Sequence, residues 1–186
     1  MTTSETLDVI ARRFACRAFQ DTPIPTDLLH AVAEAGVRAP SAVNRQPWRL
    51  VVVTDKAILS EIGRIGLENL KAADPAGYDR ILSRGGQLIY NAQAMVIVAT
   101  DEQPGQFPVS MDAGVVASHL ALAATSVGLN CCVAAMPGLA FAGDNGAQLK
   151  QQCIPAGYEF AICVLLGYAA KPGTPHEPDF SKITYI

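Results

Sequence analysis

The chain predicts an α+β fold, a small and mostly antiparallel sheet with helices packed against it, in one domain over residues 1–186. Three observations lead there. Apolar runs of strand length at 48–54, 94–100 and 159–168 do not alternate with helical segments in regular βαβ units. No G-x-G-x-x-G follows a strand, which argues against a doubly wound sheet with a Rossmann dinucleotide site. Half of the 186 residues are apolar and 17% are charged, so the chain can bury a substantial core and leave apolar surface for a second subunit.

The elements follow in order. Leu7, Ile10, Ala11 and Phe14 have the spacing of an amphipathic helix that ends near Phe14. Thr26, after Pro25, can cap a second helix carrying Leu28, Leu29, Val32 and Ala35, which stops before Pro40. A buried strand occupies 48–54, and Asp55 can cap a third helix with Leu59, Ile62 and Leu70 on one side. The stretch 72–86 is polar and broken by Pro75, Gly77 and Gly85-Gly86, the expected mobile part and a candidate lid. A strand at 94–100 and a loop at 101–108 follow. The run 113–136 carries no charge and is long enough to cross a bilayer. It is alanine-rich, broken by Gly128 and without basic flanks or aromatic belts, so it reads as a buried helix over 112–127 capped by Gly128. Small residues at Ala117, Ala121, Ala124 and Gly128 would let another helix approach closely. A strand at 132–135, a short helix at 147–153 and the strand at 159–168 complete the domain. The tail from Lys171 holds three prolines and ends in Ile183-Thr184-Tyr185-Ile186, a candidate edge strand.

Net charge is −3 and the 14 basic residues are spread thinly, which is no nucleic-acid footprint. The N-terminus has neither the basic region nor the apolar core of a signal peptide, so a cytoplasmic protein is expected. Five cysteines, at 16, 131, 132, 153 and 163, lack metal-ligand spacing and suit buried reduced thiols, with a redox role for the adjacent Cys131-Cys132 left open. His30 and His119 lie in helical patterns, where core or surface roles are favoured over acid–base chemistry.

The densest signal is Ala39-Pro40-Ser41-Ala42-Val43-Asn44-Arg45-Gln46-Pro47-Trp48. Pro40 and Pro47 stiffen the backbone, while Ser41, Asn44 and Gln46 offer groups that donate and accept. Such a loop can recognise a planar heteroaromatic ligand, or it can be a turn whose polar side chains serve their own backbone. Upstream, Arg12, Arg13 and Arg17 lie among Phe14 and Phe19. Two guanidinium forks can neutralise a phosphate, or they can be a solvated basic helix end.

In this order the two segments resemble the FMN-dependent nitroreductase family. Its R-x-S-x-R-x-F motif reads Arg13-Phe14-Ala15-Cys16-Arg17-Ala18-Phe19 here, with Ala15 in place of serine, and its A-P-S-x-x-N-x-Q-P-W motif is matched from Ala39 to Trp48. Asp112-Ala113-Gly114, Gly128-Leu129-Asn130-Cys131-Cys132, Ile154-Pro155 and Leu166-Gly167-Tyr168 are similar to further landmarks, so the resemblance covers nearly the whole chain. It implies an intertwined homodimer with FMN at the subunit interface and C-terminal segments reaching across it. Carried over, Arg13 would hold the phosphate, Phe14 and Ala15 would line the ribityl-phosphate end, and Arg17 would face flavin N1 and O2. Pro40, Ser41, Ala42 and Asn44 would complete the cradle from the partner subunit. Ala134, Ala135 and Met136 would run along the ring beside N5, and His176 would be the tail's contribution to the phosphate. The implied activity is reduction of nitroaromatics, quinones or activated alkenes by NADH or NADPH in two half-reactions through N5, without dedicated acid–base residues. No insertion stands out between Asp55 and Ala94, which favours the plain reductase over dehalogenation, flavin destruction or oxidation on the same scaffold. The competing classes are a flavin-binding sensor or FMN-sequestering protein without turnover, for which the alanine at 15 and the weakly basic tail speak, and a cofactor-free dimeric module.

Overall fold

The computed structural model describes residues 4–101 and 109–186. At its centre is a four-stranded antiparallel sheet in the order β1-β2-β4-β3: β1 Trp48–Val53, β2 Ala94–Asp101, β3 Asn130–Ala134 and β4 Tyr158–Gly167. The central strand β2 is buried along all but its last residue, and its period-two alternation sorts it between two cores. Met95, Ile97 and Ala99 face one core with Cys132, Cys163 and Leu165, while Ala94, Val96 and Val98 face the other with Val164 and Leu166. A bulge between Val98 and Ala99 shifts the register with β4 near the strand's far end.

Among the described residues six α-helices cover the two faces. On one, α2 Thr26–Val37 and α5 Val109–Ser126 pack against the sheet, with α1 Glu5–Arg12 outside α5. On the other lie α3 Lys56–Ala73, α6 Gly143–Cys153 and a 3-10 turn, Met136–Phe141, with α4 Pro75–Leu82 packed on α3. Asp55 caps α3 as expected, accepting the N–H groups of Ala57 at 2.7 Å and Ile58 at 3.1 Å. Gly128 ends α5 with φ +82°, and the Leu129 N–H bonds back to the Ala124 carbonyl at 2.9 Å.

Several expectations change. The first helix stops at Arg12, because Arg13 is extended and feeds a segment that runs along β3: Cys16 N–H donates to the Cys131 carbonyl at 2.8 Å. Pro25 occupies the capping position of α2, and Thr26 is its first residue without a capping bond. The stretch 72–86 is mostly helix, since Asp74 caps α4 through the Gly77 N–H at 2.9 Å and Pro75 starts it. Its polar composition signals a solvated helix face, and only the Gly85-Gly86 turn, with φ of +103° and +65°, keeps the expected break. The third strand begins two residues early, at Asn130, and α6 four residues early, at Gly143. Ile183-Thr184-Tyr185-Ile186 forms no strand within this chain, and its last two side chains are fully solvated. Most of the expected 101–108 loop falls outside the described residues. No described helix is long and apolar enough to cross a membrane.

Candidate functional site

Arg13 and Arg17 flank a bend that lies against the free edge of β3. Ala15 pairs with Cys131, and Gln20 N–H donates to the Tyr168 carbonyl at 2.8 Å. Both guanidinium charges reach the Cys131-Cys132 stretch. Burial pushes the Cys131 thiol up to about 11 against the pull of Arg13, and raises Cys132 against Arg17 and Arg13. Neither guanidinium has a hydrogen-bond or ion-pair partner among the described residues. Two uncompensated planar forks at one strand edge suit a phosphate or another dianion.

Phe14 is half-buried under the returning tail: a Cβ at Gly173 would fall inside its ring, so only glycine lets the backbone pass there. Phe14, Asn130, Lys171 and Gly173 line one open cleft beside the arginine bend. Asn130 ties β3 to the tail by accepting the Ala169 N–H at 2.8 Å. His176 is exposed on the tail that follows β4.

At its far end β3 emerges at Ala134, half-buried, and Ala135, exposed. The fully buried Cys163 thiol donates to the Ala134 carbonyl at 3.2 Å, which fixes the direction in which the chain leaves the strand. Asn69 on α3 then pins the 3-10 turn, donating to the carbonyls of Leu139 at 2.8 Å and Ala142 at 2.9 Å. Asn69 did not stand out in the sequence and Cys163 did so only as a buried thiol, because their partners are backbone atoms far away in the chain.

The 40–48 loop is stiff, and both readings of its polar residues hold in part. Ser41 Oγ accepts the Gln46 N–H at 2.8 Å, and Asn44 Oδ1 accepts from Gln46 Nε2 at 3.0 Å. The Ser41 O–H and the Asn44 Nδ2 donors have no partner among the described residues. The loop thus spends acceptors on itself and leaves donors of the kind that could serve an acceptor-rich ligand. Pro40 is exposed and Ala42 half-buried, with its N–H donating to Asp112 Oδ1 at 3.1 Å. Asp112 had served only as a landmark of the motif pattern.

Within the single chain no hydrogen bond among the described residues joins this loop to the arginine bend or to the exit of β3. A cavity of about 300 Å³ between α3 and residues 86–93, lined by Lys56, Ser60, Gln87 and Gln93, was not anticipated. All five cysteines are free and buried, and no group of His, Cys, Asp or Glu among the described residues could hold a metal ion.

These features belong together in one known fold. The chain is a member of the nitroreductase family, whose sequence profile matches residues 10–168. It is similar along its full length to a nitroreductase with bound FMN from Desulfitobacterium hafniense DCB-2, with 42% identity, complete coverage of both chains and a TM-score of 0.93. A nitroreductase with bound FMN from Bacteroides fragilis is 27% identical over 99% of this chain and 100% of that one, with a TM-score of 0.87. A relative from Archaeoglobus fulgidus, whose name couples NADH dehydrogenase with NAD(P)H nitroreductase, is 27% identical over 67% of this chain and 64% of its own. The chain therefore spans less than two thirds of the first curated relatives it matches, down to 22% of a Thermus thermophilus NADH dehydrogenase.

Proposed function

We propose that the protein is an FMN-dependent oxidoreductase that uses NADH or NADPH to reduce electron-poor acceptors such as nitroaromatics, quinones or activated alkenes. The observation that carries this reading is the pair of unpartnered guanidinium groups on the β3 edge, in a chain 42% identical throughout to a protein solved with FMN. The donor set fits the cofactor: cations for a phosphate and for a negatively charged pyrimidine edge, and amide and hydroxyl donors for ring carbonyls and nitrogens.

Arg13 would hold the phosphate, with Phe14 and Ala15 lining that end. Ala15 offers no hydroxyl there and His176 stands in solvent, so Arg13 bears most of the charge neutralisation. Arg17 would stabilise negative charge at the N1 and O2 edge. Ala134 and Ala135 would supply backbone beside the ring, and Pro40, Ser41, Ala42 and Asn44 would close the site from the partner subunit of a homodimer. When bound, FMN would supply reversible two-electron chemistry at N5. The chain's own task is then to bind, orient and exclude water. Two features support the dimer. Among the described residues the outer edge of β1 is unpaired, and Phe180, Ile183, Tyr185 and Ile186 are exposed on a tail that pairs with no strand. The buried, reduced thiols suit a cytoplasmic setting.

Absorbance of the purified protein tests the reading. A yellow protein that bleaches with NADH or NADPH without air, and recovers on adding a nitroaromatic or quinone, supports it. A yellow protein that does not bleach would be a flavin-binding protein without turnover. A colourless protein that takes up no added FMN would refute both.

A further inference from the structure

The loop between α2 and β1 holds a conformation that its own residues resist. Val43, Asn44 and Gln46 have φ of +49°, +56° and +50°, in the left-handed region that L-residues disfavour and β-branched ones rarely enter. Val43 gains no burial in exchange, since it is 79% exposed. Side-chain bonds inside the loop, from Gln46 to Ser41 and Asn44, close the turn on itself but do not place it on the protein.

Two long-range anchors place it. Arg45 pairs with Asp101 at 2.7 Å, next to the Asp101 N–H bond to the Pro47 carbonyl at 2.9 Å. On the other side, Asp112 Oδ1 accepts the Ala42 N–H across a separation of 70 positions. Asp112 is 8% exposed, and no cation pairs with it among the described residues. A buried carboxylate is costly unless something compensates its charge. Here the Ala42 amide donates to the carboxylate, and Asp112 sits in the first turn of α5, where the helix dipole favours negative charge. The carboxylate is thus fixed by α5 and in turn fixes Ala42, between the two residues whose donors remain unspent.

On the reading that this loop faces a flavin held by the partner subunit, we infer that Asp112 is a positioning residue. Its carboxylate sets the Ala42 amide so that Ser41 and Asn44 present their donors to the cofactor, while Asp112 itself touches neither cofactor nor acceptor. The helix α5 and the loop then form one unit, and the fit of the cradle depends on the seating of α5 against the sheet.

The test compares Asp112→Ala and Asp112→Asn with the parent protein, by dilution of the FMN-loaded protein and the fluorescence of released flavin. Asn keeps an acceptor oxygen and Ala does not. The expected result is a roughly 10-fold weaker FMN affinity for Asp112→Ala and less than about a 3-fold change for Asp112→Asn, as loss of one bond to a charged group implies. Equal affinity in Asp112→Ala and the parent would overturn the assignment, as would equal losses in both variants. Should Asp112→Ala fail to fold, amide hydrogen exchange in the parent decides. A protected Ala42 N–H supports the anchor, and exchange at the rate of a free loop amide refutes it. A parent protein that takes up no FMN would instead refute the cofactor reading, while the exchange result still reports on the anchor alone.

Discussion

Replacing Arg13 by alanine is the most direct perturbation of the proposed site, because its guanidinium has no internal partner to leave behind. Arg13 is half-buried just past the end of α1, its backbone N–H bonds to the Val9 carbonyl, and its guanidinium makes no hydrogen bond or ion pair among the described residues. Folding stability should therefore change by no more than about 0.5 kcal/mol, the range of substitutions away from packed or networked positions. Binding is different. A charge-assisted bond to phosphate contributes about 1.5–3 kcal/mol, and tenfold in affinity corresponds to about 1.4 kcal/mol. Arg13→Ala should thus raise the FMN dissociation constant roughly 10- to 150-fold with an unchanged melting temperature. Partial exposure and salt push the effect toward the lower end, so the difference should narrow between 0.05 and 0.5 M salt, values chosen to span about 14 to 4 Å in screening length. Arg13→Lys keeps the charge but loses the planar fork and should fall between the two. The assay is fluorescence titration of flavin-stripped protein, with calorimetric melting as the control. Unchanged affinity in Arg13→Ala would refute the assignment of the arginine bend to phosphate, and a large loss of stability would show that Arg13 is structural.

Two further outcomes follow from the core. Burial raises the thiols of Cys16, Cys131, Cys132, Cys153 and Cys163 above the ordinary value of 9.0, Cys131 to about 11. The folded state therefore holds these protons more tightly than the unfolded chain. Their contribution to stability is full below about pH 9 and declines between about 9 and 11, so the melting temperature should fall across that window. Thiol titration with an aromatic disulfide at pH 8 should find the native protein almost unreactive and five thiols after denaturation. Fast native reaction would show that the β3 edge opens. Gly128→Ala should cost about 1 kcal/mol in denaturant unfolding without changing the slope, because the φ of +82° at the end of α5 disfavours a Cβ although the surrounding space is open.

The α+β class, the order of strands and helices and most core faces could be read from local rules. Apolar period, capping Asp55 and the Gly128 stop each act within a few residues, so 48–53 and 94–101 and the long helix appear nearly where expected. The same rules misjudged 72–86, where composition showed polarity but not the Asp74 cap and Pro75 start that make it helical. The order of the motifs holding Arg13, Ser41 and Asn44 also pointed to the family that the match over residues 10–168 shows.

Which atoms remain available for a ligand was decided only by tertiary structure. Ser41 and Asn44 look alike in sequence whether they serve their own turn or a cofactor, and the fold shows acceptors spent and donors kept. Asp112 and Cys163 act on Ala42 and Ala134 through bonds that close only when α5 and β4 are seated. Sequence patterns report on neighbours along the chain, whereas a hydrogen bond across 70 positions depends on the packed distance between two elements.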